Sequence, residues 1–407
     1  MENVVVTGMG VVSPLGNSPD ELWNNLLAGK SGITQIERFD TEKYTVKFAG
    51  EVKDFENPYF DARDMKRTAR NIQYQVYSSL EAVKMAGLEG ADIDKKRAGV
   101  IVGSGMGGME IFTESAINLE NKGPRRVSPF FVPMAIGNMA AGEVSIRLGY
   151  MGPNWAVTSA CATSNHSFMA AADQIKLGNA DVMIAGGSEE SVCRIGVAGF
   201  ASMKALSTRN DNPQAASRPF DKGRDGFVIG EGAAALVLES ESHAKARGAK
   251  ILAYVSGYGA SGDAYHMSAP REDGAGVQHA LNTAITHAGL QRSDIGYVNT
   301  HGTSTPLGDV AEAGAIQTVF GVDGVKINST KSMVGHPLGA ASGIEAVVTI
   351  QSLIHQKLHQ TLNLEDQDER IELDCIGKGP VDIKLDYAMS NSFGFGGHNS
   401  TMIFGKA

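Results

Sequence analysis

Cysteine is scarce in this sequence of 407 residues: Cys161, Cys193 and Cys375 are the only three, and none has CxxC or metal-ligand spacing. That argues against a disulfide framework and a zinc site, and it favours a reducing compartment. An excess of positive charge is lacking too. The formal net charge is −9, so nucleic acid is not an expected partner by bulk electrostatics. Met1-Glu2-Asn3 leads straight into an apolar strand without the basic start and apolar run of a signal peptide. No apolar stretch reads as long enough to cross a bilayer, so no membrane partner is expected. The expectation is a cytoplasmic protein. Glycine, by contrast, is abundant: 49 residues, well above the roughly 7 % usual in globular chains. Many tight turns and close backbone approaches follow from that. The length allows a large core, in two domains or one doubled domain.

The chain alternates strands and helices throughout. Val4–Gly8 reads as a buried strand, Asn17–Ala28 as an amphipathic helix and Asn71–Ala86 as a long helix. Strands follow at Gly99–Gly103, Asp181–Gly187 and Ala233–Leu238. The second half has strands at Ile251–Gly257, Ile295–Asn299, Val325–Asn328 and Thr401–Phe404. Its helices are Val277–Ala288, Asp309–Val319 and Leu338–His355. Such alternation predicts an α/β layered fold. The turn Gly103–Gly108 satisfies GxGxxG, but no acidic ribose partner follows about 20 residues on, so dinucleotide binding is not expected. Close packing of backbone around Met106 is the better reading.

Cys161 sits among small residues in Val157–Asn165. Trp155-Ala156-Val157 reads as the end of a buried strand, and Phe168, Met169, Ala172 and Ile175 mark a helix just downstream. A cysteine on such a strand-to-helix turn has its thiolate stabilised by free amide N–H groups and the helix dipole. A small buried cysteine filling a gap is the commoner fate of this residue. Two further stretches decide between them. Asn299–Asp309 and Asn328–Ala341 each place a histidine, His301 and His336, on a strand-to-helix turn flanked by small residues. Ser159-Ala160-Cys161 echoes Val334-Gly335-His336, and a duplicated domain would bring those two helix starts together. Asn391–Asn399 reads as a glycine-rich loop holding aromatics.

Cys161, His301, Lys331, His336 and Phe395, in that order, resemble the site of the β-ketoacyl-[acyl-carrier-protein] synthases, the elongating condensing enzymes of the thiolase-like superfamily. Val6–Gly16, Gly123–Pro129, Ser217–Asp221 and Asp263–Met267 extend the resemblance over essentially the whole chain. It implies a thiolase-like α/β fold of five layers, αβαβα, built from two similar halves. Residues 1–250 would carry the cysteine, and residues 251–407 the two histidines and the lysine.

The implied activity is decarboxylative condensation of an enzyme-bound acyl chain with malonyl-acyl carrier protein, in a homodimer and without metal or redox cofactor. Cys161 would be the nucleophile, His301 and His336 the donors to the enolate, and Phe395 an oxyanion-hole amide and a gate. Lys331 would support the histidines. Met106 and Phe200 would line the acyl tunnel, and Thr303 and Thr305 would bind the pantetheine arm. Glu345 is counted with that substrate-binding set, in a mostly structural role. The acidic carrier protein would dock on Arg63, Lys66, Arg67, Arg70, Arg125 and Arg126. A host with plastids would place the protein in the stroma after removal of a transit peptide. A degradative thiolase would need a second reactive cysteine near the C-terminus, where this chain has His398. A non-catalytic chain-length factor would lack the nucleophile.

Overall fold

The computed structural model describes residues 2–407. One eleven-stranded sheet organises it. The strands are β1 (Val4–Val12), β2 (Ala98–Gly103), β3 (Asn154–Trp155), β4 (Val182–Glu189), β5 (Gly232–Ser240) and β6 (Ala253–Gly262), then β7 (Ile295–Asn299), β8 (Lys326–Asn328), β9 (Asp374–Cys375), β10 (Tyr387–Gly394) and β11 (His398–Lys406). Their order is β9-β8-β7-β10-β11-β6-β1-β5-β4-β2-β3. Outward from the β1–β6 junction, β1-β5-β4-β2-β3 and β6-β11-β10-β7-β8 repeat one pattern. In each, two antiparallel pairings are followed by two parallel ones. The halves join through Val5↔Tyr254 and Val6↔Ala253.

The longer helices are α1 (Pro19–Leu27), α2 (Arg70–Met85), α3 (Met109–Lys122), α4 (Met139–Leu148), α5 (Thr163–Lys176), α6 (Arg194–Ser202), α7 (Ala275–Ala288), α8 (Gly308–Phe320) and α9 (Ala341–His355). Helices α2 and α4 cover the outer face of the first half-sheet, and α7 covers that of the second with α8 beside it. Helices α5 and α9 lie between the half-sheets and touch strands of both. These are the five layers, αβαβα. Strands β1 and β5 are buried along their whole length, which explains why both read as unbroken runs of small and apolar residues rather than alternating ones. In β1, a side chain at Gly8 or Gly10 would strike the backbone carbonyls of Ala82 or Ser78 at 2.0 and 1.9 Å. Glycine there lets α2 lie directly on the sheet.

Four expectations need correction. Trp155 does not end a buried strand: β3 is a two-residue outer strand with both residues exposed. Leu338–His355 does reach the length and apolarity of a membrane span, but 89 % of it is buried, because it runs between the two half-sheets. Asn391–Gly394 belongs to β10 and pairs with β11, leaving a much shorter turn at the tip. The echo between the halves is also displaced. Cys161 lies in a 3-10 turn, Ala160–Ala162, just ahead of α5; the matching turn ahead of α9 is Leu338–Ala340. Both open on a residue with left-handed backbone, Ala160 at φ +50 and Leu338 at φ +42. Gly339, not His336, is therefore the positional counterpart of Cys161, and His336 precedes it by one turn of chain.

Candidate active site

The α5 turn presents Cys161 at the middle of the molecule. Ala160 holds a positive φ, a strained conformation for a residue with a Cβ, and small neighbours allow it. The Ser392 hydroxyl of β10 donates to the Cys161 carbonyl at 2.8 Å, and the Thr163 hydroxyl donates to the Ala160 carbonyl at 2.7 Å. His336 is fixed by its backbone, which pairs with Val228 and Gly230 at 2.7 and 2.9 Å. Its ring packs edge-on against Phe227. Helix α8 fixes His301: Glu312 accepts from the His301 and Gly302 amides at 2.8 and 2.7 Å.

Three elements far apart in sequence thereby converge. His336 Nε2 lies 3.1 Å from Cys161 Sγ, and the two imidazole centroids are 5.2 Å apart and nearly perpendicular. The sulfur and one ring nitrogen of each histidine lie within 4.8 Å of one another. All three residues face a cavity of about 920 Å³.

The electrostatics follow from burial. Desolvation holds both imidazoles well below the usual histidine range, and the Lys331 ammonium pushes in the same direction. Both rings are therefore neutral, each with a single N–H to donate. Burial also pushes the Cys161 thiol up to about 12, with Glu189 adding to the rise. Lys331 and the amides of Phe395 and Cys161 pull the other way. Burial thus opposes the thiolate that the helix start, the two amides and Lys331 favour. The three donor atoms are close enough to ligate a metal. A pair of N–H donors beside an ammonium nevertheless suits a developing oxyanion better than a dication.

Of the expected substrate residues, Met106, Phe200, Thr303 and Thr305 do line the cavity. The two threonine hydroxyls are 3.0 Å apart. Phe395 stands at the mouth, 38 % exposed, with its ring 6.4 Å from that of Phe200. Glu345 does not line it. Its carboxylate is buried behind the histidines and paired with Lys331 Nζ at 2.5 Å, and burial pushes it up to about 7 against the pull of the lysine. Arg63, Lys66, Arg125 and Arg126 are exposed, and the Arg67 guanidinium stacks 4.6 Å above the Phe130 ring. Arg70 must be removed from that group: it starts α2, is largely buried and is paired with Glu110 at 2.7 Å.

Sequence reasoning missed Glu189, Glu312, Ser392 and Phe227. It also missed Lys204 and Arg271, which bring positive charge to the cavity wall. A carboxylate at the end of a buried strand, as Glu189 is in β4, was the one available signal.

The family described as "Beta-ketoacyl synthase, N-terminal domain" matches residues 1–244, and "Beta-ketoacyl synthase, C-terminal domain" matches residues 252–365. A "3-oxoacyl-[acyl-carrier-protein] synthase 2" of Vibrio harveyi is 48 % identical over 407 residues, covering 99 % of this chain and 98 % of the relative. The chloroplastic "3-oxoacyl-[acyl-carrier-protein] synthase I" of Arabidopsis thaliana is 47 % identical, covering 99 % and 86 %. Among solved structures, a β-ketoacyl synthase from Burkholderia phymatum STM815 superposes with a TM-score of 0.95 at 37 % identity, with both chains covered completely. A ketosynthase solved with its type II polyketide acyl carrier protein matches with a TM-score of 0.92 at 32 % identity, covering 100 % and 99 %.

Proposed function

The chain belongs to the β-ketoacyl synthase family, and we propose that its cavity runs the elongating condensation in two half-reactions on Cys161. The protein is an acyltransferase, a 3-oxoacyl-[acyl-carrier-protein] synthase of fatty acid elongation, and acyl carrier protein is its partner. In the first half-reaction Cys161 sulfur attacks the acyl thioester carbonyl. A new C–S bond forms, the carrier's C–S bond breaks, and the thiol proton leaves with the carrier thiol. The amides of Cys161 and Phe395, which both pull the thiol pKa down, would hold the tetrahedral oxyanion.

In the second half-reaction malonyl-carrier protein loses carbon dioxide. The electron pair of the broken C–C bond passes into the thioester, and the resulting enolate oxygen is held by one N–H each from His301 and His336. The carbanion then attacks the acyl-Cys161 carbonyl: the C–C bond forms, the C–S bond to Cys161 breaks, and the departing thiolate takes up one proton from solvent to restore the thiol. Loss of one such donor typically costs about 2.7–4 kcal/mol of barrier, which is reason enough for two. One observation carries this reading: a buried sulfur and two imidazoles meet at one largely apolar cavity.

Thr303 and Thr305 would bind the pantetheine arm, and Met106 and Phe200 the acyl chain. Residues 1–250 and 251–407 are taken as the two halves, each supplying part of the site. The carrier docks on Arg63, Lys66, Arg67, Arg125 and Arg126, with Lys204 and Arg271 at the cavity. We also assign the protein to the cytoplasm, where its three free cysteines would stay reduced. It acts as a homodimer: exposed β3, with Trp155, is the outer edge of the sheet, and Ile146 and Met151 beside it are 72 % and 65 % exposed. Such an edge and apolar surface fit a second copy. The test is direct: incubation with acyl- and malonyl-loaded carrier protein yields 3-oxoacyl-carrier protein and carbon dioxide. A folded protein that yields neither with any acyl length overturns the reading.

A further inference from the structure

The glycine-rich turn Gly103–Gly108 has the spacing of a phosphate-binding loop, yet it encloses a carboxylate of the protein itself. Glu189 ends β4 and is fully buried. Its Oε1 accepts from the Ser104 hydroxyl at 2.8 Å and the Met106 amide at 3.1 Å. Its Oε2 accepts from the Gly105 amide at 2.9 Å and, from the Leu338–Ala340 turn, the Gly339 amide at 3.0 Å. Among the described residues, none forms an ion pair with it. Successive amides converging on an anion form a nest, and here Glu189 fills it. A Cβ at Gly105 or Gly339 would come within 2.8 Å of Oε2, which accounts for glycine at both positions.

The two segments held by this carboxylate are functionally distinct. Met106 stands on the cavity wall, 42 % exposed. Gly339 is the structural counterpart of Cys161 and follows His336 by three residues; its carbonyl accepts from the Ser164 hydroxyl of α5 at 2.6 Å. We propose that Glu189 is a positioning residue that fixes the acyl-side wall at Met106 relative to the Leu338–Ala340 turn that follows His336, and so tunes acyl-chain selectivity. This rests on the condensing activity proposed above.

The experiment compares wild type, Glu189→Gln and Glu189→Ala in condensation with short and long acyl-carrier proteins, with and without formate. In Glu189→Gln an amide NH₂ faces amide donors. It should lose about tenfold or more in kcat/KM, the scale of one charge-assisted hydrogen bond, and the ratio of long to short donors should change. Glu189→Ala empties the nest, so formate should restore activity and the native ratio; Glu189→Gln should not respond. A merely structural role would lower stability without formate rescue or a change of ratio. Folded variants with the wild-type ratio, or a folded Glu189→Ala that formate does not help, overturn the proposal. If neither variant folds, Ser104→Ala decides: it removes one donor, and an unchanged ratio overturns the proposal. Failure of wild type to condense would instead indict the functional reading.

Discussion

Replacing Lys331 by methionine tests how the site is charged. The Lys331 and Glu345 side chains are 1 % and 2 % exposed and paired at 2.5 Å through Glu345 Oε1, and Glu345 Oε2 has no hydrogen-bond partner. Removing the ammonium leaves a carboxylate buried alone, at a cost of about 3–5 kcal/mol. Burial already pushes Glu345 up to about 7, and losing the lysine raises it further. A raised carboxyl binds its proton more tightly in the folded state. The penalty is therefore small in acid, where Glu345 is protonated in folded and unfolded chains alike, and largest above pH 7.

Adding Glu345→Gln to Lys331→Met removes the orphan charge, and the double variant should recover about 1–3 kcal/mol relative to additivity. The same lysine helps hold both imidazoles below the usual range. Without it, His301 and His336 should titrate at higher pH. Urea unfolding at pH 5 and pH 8 reads the first effect, and NMR titration of 13C-labelled histidines reads the second. A Lys331→Met protein within 1 kcal/mol of wild type at pH 8, or histidines that titrate no higher than before, would refute this reasoning.

Cys161→Gln should abolish condensation yet still release carbon dioxide from malonyl-carrier protein, because the enolate donors are untouched; loss of both activities in a folded variant contradicts that division. His301→Ala should slow decarboxylation by about 10²–10³-fold, read as carbon dioxide release in the Cys161→Gln background; a smaller loss means one imidazole suffices. Charge reversal at Lys66 and Arg67 should weaken carrier-protein binding and flatten its salt dependence; affinity indifferent to both rules out that surface. Trp155→Asp with Ile146→Asp should shift sedimentation from dimer to monomer, and an unchanged dimer places the interface elsewhere.

The alternation of strands and helices was legible because β1 and β5, covered on both faces, leave continuous apolar runs, and α5 and α9 leave helical ones. Helices α3 and α4 escaped notice since Phe112, Ile117, Leu119 and Ile146 scatter around them and stay exposed. Trp155 misled because a large aromatic reads as core, whereas it sits on the sheet's open edge. Cys161, His301 and His336 were readable from small-residue turns, but Arg70 looked like surface charge until the helix turned it inward to Glu110. Glu189 and Glu312 stayed hidden because most of their partners are backbone amides, those of Glu189 on the segments around Gly105 and Gly339 and those of Glu312 on the turn just ahead of its own helix. Backbone donors leave no side-chain pattern in a sequence.

Turnover depends on one covalent bond at one sulfur. Mass spectrometry after incubation with acyl-carrier protein alone measures it most directly. Wild type should gain the mass of a single acyl group, mapped to the peptide containing Cys161, and Cys161→Ala should gain none. An acyl group carried by Cys193 or Cys375, or an unmodified wild type that still forms product, would contradict it.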